Sequence, residues 1–247
     1  MIEIPKQGAA FFASDLHLSE ETPRTLEAFE SWLASVAQAN TLVFLLGDVF
    51  EVWYGDDYSD PTTERVAHAI QSAHATGAKV YFMHGNRDFL AGPGFLAQCG
   101  ITGLADPTVL VFGGQRFVLS HGDLLCLDDV EYQRFRVQAR SAEWQRQFLA
   151  QPLATRRAQA RGIRQESEAR KQSGVTYADV DGPAAITWLQ AAQAHTLIHG
   201  HTHRPADHAL GQAQRHVLSD WSLDHAPLRA QVFRLQRDGG SQRIDWL

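Results

Sequence analysis

Leu42-Val43-Phe44-Leu45-Leu46-Gly47-Asp48 is an apolar run of strand length that empties directly into a glycine and a carboxylate. A buried strand ending in Gly-Asp sets an acidic side chain at the carboxyl edge of an α/β sheet, where such sheets place their sites. Four other stretches share this pattern: Phe11-Phe12-Ala13-Ser14-Asp15-Leu16-His17, Val80-Tyr81-Phe82-Met83-His84-Gly85-Asn86-Arg87-Asp88, Phe117-Val118-Leu119-Ser120-His121-Gly122-Asp123 and Thr196-Leu197-Ile198-His199-Gly200-His201-Thr202-His203. One such stretch would mean little. Five in one chain describe a sheet edge lined with Asp, Asn and His, with Asp48 as the middle carboxylate.

The candidate metal ligands are Asp15, His17, Asp48, Asn86, His121, His201 and His203. Asp15 and His17 lie two apart in extended chain, so both point to one side and can grip one ion. Seven ligands are too many for one tetrahedral ion. They suit two ions about 3.5–4 Å apart that share Asp48. The donors are oxygen and nitrogen without sulfur, and Asn86 is a neutral amide, which favours Mn²⁺ or a similar ion over a structural zinc. His84 and His199 adjoin the cluster and read as supporting or packing residues. His68, His74, His195, His208, His216 and His225 read as ordinary surface or core histidines.

A chain of 247 residues makes one sizeable domain, or a domain with an insertion. A net charge of −6 speaks against nucleic acid as a partner. Cys99 and Cys126 are the only cysteines, which suggests a reducing compartment without a disulfide framework. No apolar run approaches the ~20 residues of a membrane span, and no basic-then-apolar leader follows Met1. Any membrane association is expected to be peripheral.

Thr22-Pro23 and Asp60-Pro61 read as capped helix starts. Gly113-Gly114 reads as a hairpin turn between Thr108–Phe112 and Gln115–Ser120, and Asp238-Gly239-Gly240-Ser241 as a last one. Ala206–Leu210, Arg215–Leu218 and Leu228–Leu235 alternate as antiparallel strands do. From 124 to 193 the strand signal almost vanishes. Residues 1–123 and 194–247 are therefore expected to form the core, and 124–193 a helical insertion, or lid, over the sheet edge. Its end, from Ile186 to Gln193, returns the chain to the core.

Between Leu153 and Gly174 this insertion carries six cations, Arg156, Arg157, Arg161, Arg164, Arg170 and Lys171, against Glu166 and Glu168. On a helix Arg157, Arg161, Arg164 and Lys171 fall on one stripe; the alternative reading is a solvated helix face. Tyr132, Phe135, Trp144, Phe148 and Leu149 precede it, with few other apolar residues to pack against. A cap with an apolar interior and a basic rim would hold acyl chains and phosphate. Tyr132, Phe135 and Arg164 are accordingly expected substrate contacts.

Asp-x-His, Gly-Asp, Gly-Asn-x-Asp, His and Gly-His-x-His, in this order from Asp15 to His203, resemble the calcineurin-like metallophosphoesterases. The resemblance implies an α/β fold, a two-sheet β-sandwich flanked by helices, holding two metals. Asp15, His17, Asp48 and His203 would hold the first; Asp48, Asn86, His121 and His201 the second. Many members read Gly-Asn-His-Asp, with that histidine as general acid. Here the position is Arg87, which stays protonated and cannot donate a proton, yet can stabilise charge on a phosphoryl group. A phosphate leaving group, with a second pKa of about 6, needs no proton. Arg87 therefore argues for a phosphoanhydride substrate over the phosphomonoester of an alcohol.

Ser14-Asp15-Leu16-His17-Leu18, Gly47-Asp48-Val49-Phe50-Glu51-Val52-Trp53, Gly85-Asn86-Arg87-Asp88-Phe89 and His199-Gly200-His201-Thr202-His203-Arg204-Pro205 resemble one branch more closely, the UDP-2,3-diacylglucosamine diphosphatases of lipid A biosynthesis. That branch implies hydrolysis at the α-phosphate of UDP-2,3-diacylglucosamine, releasing UMP and 2,3-diacylglucosamine 1-phosphate. It implies two Mn²⁺ ions and a peripheral position on the cytoplasmic face of the inner membrane. Asn86, Arg87, His121 and His201 are the catalytic candidates. Asp129, Ser167 and Lys171 would join Asn86, Arg87 and His201 in binding substrate; a further lysine of the family near Gly174 is missing. A monomer is expected. The runner-up is a soluble nucleotide or UDP-sugar pyrophosphatase of the same superfamily, which needs no apolar lid. A metallo-β-lactamase-like site is disfavoured, because Asp207-His208 lies two residues too far from His201-x-His203.

Overall fold

Strands in the computed structural model fall into two six-stranded sheets; residues 2–3, 8–172, 178–236 and 240–247 are described, with backbone alone at 3, 164 and 166–172. The first sheet runs in the order β12 (Ser241–Asp245), β11 (Gln231–Leu235), β2 (Ala10–Ala13), β3 (Leu42–Leu46), β4 (Lys79–Met83) and β5 (Thr102–Leu104). The second runs β1 (Ile2–Glu3), β6 (Thr108–Phe112), β7 (Gln115–Leu119), β8 (Thr196–His199), β10 (Ala213–Val217) and β9 (Ala206–Leu210). β2, β3 and β4 are parallel, as are β7 and β8. All five ligand-bearing stretches therefore end at carboxyl edges of parallel strands.

The uninterrupted apolar runs follow from burial on both faces. Phe12, Phe44, Leu46 and Met83 face Leu110, Phe117, Leu119 and Ile198 between the sheets. The alternate residues Phe11, Val43, Leu45, Val80 and Phe82 face outward onto helices α1 (Pro23–Val36), α2 (Pro61–Ala75) and α3 (Pro93–Cys99) through Phe29, Leu33, Val66, Ile70 and Phe95. The second sheet is covered by α7 (Gly182–Ala192), whose Ala185 and Leu189 meet Val118 and Leu197. The expected two-sheet sandwich flanked by helices is what the chain forms.

α2 starts as expected, with Asp60 and Thr63 in a reciprocal capping box. α1 does not: Thr22 makes no side-chain cap bond. Asp224, 200 residues away in sequence, accepts from Arg24 N and Thr25 N at 3.0 Å instead. The last strand pair is as expected, though the turn residues Asp238 and Gly239 lie outside the described residues.

Between β7 and β8 the chain forms α4 (Val130–Ala139), α5 (Ala142–Leu149) and α6 (Leu153–Gln172) before α7. These three helices lie over the loops that follow β3, β4 and β7. Arg156 of α6 reaches Tyr54 O, Arg140 after α4 donates to Gly85 O at 2.8 Å, and Tyr132 of α4 bonds Asp123. No helix among the described residues is long and apolar enough to cross a membrane.

Candidate metal centre

Seven non-glycine residues among those described have positive φ, and five of them are candidate ligands: Asp15, His17, Asp48, His201 and His203. Side chains other than glycine avoid this region, at about 1–3 kcal/mol each for sparsely populated backbone. The strand ends are thus bent so that successive side chains turn towards one point. Close backbone approach makes this feasible: a Cβ on Gly85 would fall on the carboxylate and backbone of Asp48.

Ligand atoms of Asp15, His17 and His203 lie within 4.8 Å of one another, and so do those of Asp15, Asp48 and His121. Asp15 is common to both groups, but one of its oxygens is committed. Oδ2 accepts from Ser14 Oγ at 2.6 Å and from His201 N at 2.9 Å. Oδ1 is buried with no hydrogen-bond partner, and His203 Nε2 stands 3.4 Å away. Asp48 divides differently, with Oδ2 3.9 Å from His17 Nε2 and Oδ1 3.8 Å from His121 Nε2. Asn86 Oδ1 meets His121 Nε2 at 3.0 Å. The His201 ring lies 5.0 Å from that of His121. All seven sequence candidates therefore fall in one cluster of mutual contacts, with Asp48 between its halves.

Supporting groups orient these ligands. His121 Nδ1 lies 2.9 Å from the carbonyl of Leu46, which only accepts, so Nδ1 carries a proton and Nε2 faces the pocket. His17 Nδ1 is 2.8 Å from Glu51 Oε2, and His203 Nδ1 is 3.6 Å from Asp220 Oδ2. Asp88 accepts from Gly85 N and Val49 N at 2.8 Å, tying the loop after β4 to that after β3.

Charge is dense here. Burial would lower the pKa of His121, yet Asp48, Asp123 and Asp15 push it up to about 9. Burial would raise that of Asp15, but the neighbouring His203, with His121 and His17, holds it well below the usual range. His201, desolvated and next to His121, is pushed down to about 4. A cluster of buried carboxylates that draws protons onto His17 and His121, with an unpartnered Asp15 oxygen beside them, fits divalent cations by charge and by donor chemistry.

Two carboxylates escaped the sequence reading. Asp123 is fully buried. It accepts from Arg136 Nε at 2.7 Å and from the Tyr132 hydroxyl, and Arg140 lies 3.7 Å away. Glu51 supports His17 and lies 3.7 Å from Arg87 Nη1. The only signal for Asp123 was its position two residues after His121.

Of the expected substrate contacts, Phe135, Asn86 and Arg87 line one cleft, with Trp53, Tyr54, Phe89, Trp144 and Phe148. Tyr132 stacks over His201 at 6.0 Å. Asp129 caps α4, accepting from Tyr132 N at 3.0 Å. The side chains of Arg164, Ser167 and Lys171 lie outside the described residues. Arg156 is not part of the basic rim, for it is buried against Asp57.

Comparison with known proteins fits this geometry. The calcineurin-like phosphoesterase family matches residues 10–205. A UDP-2,3-diacylglucosamine hydrolase of Aromatoleum aromaticum is 42% identical over 226 residues, 90% of this chain and 92% of that one. Proteins of the same name from Chromobacterium violaceum and Ralstonia nicotianae are 45% and 43% identical, covering 86% and 93% of this chain and 90% of each relative.

Proposed function

The chain belongs to the calcineurin-like phosphoesterase family, and from that premise we propose that it hydrolyses the pyrophosphate bond of UDP-2,3-diacylglucosamine in lipid A biosynthesis. Water attacks the α-phosphorus, the bond from that phosphorus to the bridging oxygen breaks, and the products are UMP and 2,3-diacylglucosamine 1-phosphate. One observation carries the substrate: a single cleft runs from Asn86 and Arg87 at the candidate metal centre to the aromatic wall of Phe135, Trp144 and Phe148. A phosphoanhydride at one end and acyl chains at the other match that polarity.

Two Mn²⁺ ions are the proposed cofactors, one held by Asp15, His17, Asp48 and His203, the other by Asp48, Asn86, His121 and His201. Asp48 is the proposed shared ligand because its two oxygens turn to different histidines, Oδ2 to His17 and Oδ1 to His121. Such an ion pair neutralises phosphoryl charge and makes water acidic enough to attack near neutral pH. The protein supplies the rest. Arg87 lines the cleft beside Asn86 and holds a permanent positive charge against the phosphoryl oxygens as the leaving phosphate departs unprotonated. Asn86 and His201 fix the reacting phosphate, His121 serves catalysis from the metal site, and Tyr132 packs behind His201. Asp129, Arg164, Ser167 and Lys171 complete the sugar-phosphate contacts. The insertion serves as the lid, and the enzyme works as a monomer at the cytoplasmic face of the inner membrane.

The test is release of UMP from UDP-2,3-diacylglucosamine by manganese-loaded protein in ¹⁸O-water. Label in UMP, with UDP-glucose turned over far more slowly, is expected. Equal turnover of both substrates would overturn the lipid substrate, and label in the sugar phosphate would overturn attack at the α-phosphorus.

A further inference from the structure

Arg156 is a cation with 2% of its surface exposed. Its guanidinium is used almost completely: Nε donates to Gln151 O at 3.0 Å, Nη1 to Tyr54 O and to Asp57 Oδ1 at 2.7 Å, and Nη2 to Asp57 Oδ2. Such a residue is unavailable to a phosphate. Gly55, at φ +126, leaves the space it fills; a Cβ there would strike Arg156 Nη1 and Leu149. The neighbouring Asp56 turns the other way and accepts from Gly92 N and Gly94 N at 2.8 Å, at the start of α3. Two adjacent carboxylates thus clamp the loop after β3, Asp56 to the core and Asp57 to the insertion.

Arg156, Ala160 and Ile163 stand at i, i+4 and i+7, hence on one face of α6. Ala160 and Ile163 line the cleft, and Trp53 and Tyr54 of the clamped loop line it too. A helix turns about 100° per residue, so an anchor at Arg156 decides which side chains of α6 face the cleft. Arg157 cannot replace it, since it lies outside over the rings of Tyr54 and Tyr58.

We propose that the Arg156–Asp57 pair is a latch that sets the rotation of α6 over the cleft and thereby its grip on the acylated half of the substrate. This rests on the substrate reading above. The pair touches neither the candidate ligands nor the reacting phosphate, so it acts as a positioning device.

The Asp57 side chain is 63% exposed, so its replacement leaves the core intact. In manganese-loaded Asp57→Ala, KM for UDP-2,3-diacylglucosamine should rise about tenfold, the scale of one lost charged hydrogen bond, with kcat within twofold of wild type. KM for the deacylated UDP-sugar should not change, and Asp57→Glu should restore most of the grip. Amide exchange from 156 to 163 should rise in Asp57→Ala with or without metal. Unchanged exchange, or an equal KM rise on both substrates, would overturn the latch. Failure of the wild type to prefer the acylated substrate would overturn the substrate reading alone, leaving the exchange measurement to decide the latch.

Discussion

His17 presents Nδ1 to Glu51 Oε2 at 2.8 Å, leaving Nε2 turned into the pocket 3.9 Å from Asp48. A hydrogen-bonded outer group of this kind fixes the tautomer and aim of a ligating imidazole, and its loss costs about 10–100-fold in metal affinity or activity. Glu51→Ala should weaken Mn²⁺ binding by that factor, measured by calorimetric titration. Glu51→Gln, which keeps an acceptor oxygen, should lose less. Affinity unchanged in Glu51→Ala would show that the contact is incidental.

Glu51 also marks where sequence reading stopped. The ligands were legible because each follows an apolar strand at once, and the strand fixes where its carboxyl end lies. Glu51 sits three residues beyond Asp48 in an aromatic loop, where no periodicity tells which way a side chain turns. The cap of α1 failed for the same reason. Thr22 has the right local chemistry, yet Asp224 takes the helix N–H groups from across the fold. Arg156 reads in sequence only as one of six cations between Leu153 and Gly174, off the basic stripe; the partner Asp57, 99 residues away, makes it an anchor.

Asp48→Ala should abolish activity and bound Mn²⁺ while leaving the sheet folded. In the metal-free protein Asp48 presses against other buried acids, and its charge, after burial, is what raises the pKa of Asp88. It also faces His121 and His17, whose pKa it raises, so removing it loses attraction as well as repulsion. The wild type should gain Tm as Mn²⁺ is added and lose it with chelator, by mass action. Asp48→Ala should show neither shift. Activity surviving in the mutant, or in chelated wild type, would exclude the two-metal site.

Arg87→Ala should keep its metals, because only the backbone N of Arg87 touches a candidate ligand, Asp48 Oδ1 at 2.8 Å. The rate should fall about 10²-fold or more, as for a lost donor to transition-state charge. Arg87→His should not create an efficient phosphomonoesterase. Strong aryl-phosphate turnover with native activity intact would contradict the leaving-group argument.

Asp224 yields a pH prediction. Burial raises its pKa, but the N–H groups of Arg24 and Thr25 and the Thr25 hydroxyl outweigh this and lower it from 3.8. A depressed carboxyl stabilises the fold above its unfolded pKa and ceases to do so as pH falls through the folded value. Asp224→Ala should thus cost about 1 kcal/mol near pH 7, the scale of a helix cap. Its deficit should shrink below pH 3.8. A deficit independent of pH, in denaturant titrations at several pH values, would assign the effect to packing.

The proposed lid can be separated from the chemistry through Phe135. Phe148 is 4% exposed and stacks on Trp144 at 4.9 Å as part of the main core, so Phe148→Ala would cost about 3–5 kcal/mol of stability and blur any kinetic reading. Phe135 is only half-buried and lines the cleft. Each CH₂ taken from water is worth about 0.8 kcal/mol, so even partial burial of two acyl chains would dominate binding. Phe135→Ala should therefore raise KM for the diacylated substrate several-fold and leave a deacylated UDP-sugar unaffected. Arg161, which is exposed although it also borders the cleft, is the cleaner probe of the proposed membrane association, because Arg157 is engaged with Tyr54 and Tyr58. Arg161→Glu should weaken binding to anionic vesicles, by roughly 1 kcal/mol per charge removed, more at low salt than at high salt. If Phe135→Ala slowed both substrates alike, the insertion would be acting on the metal centre and not on the acyl chains.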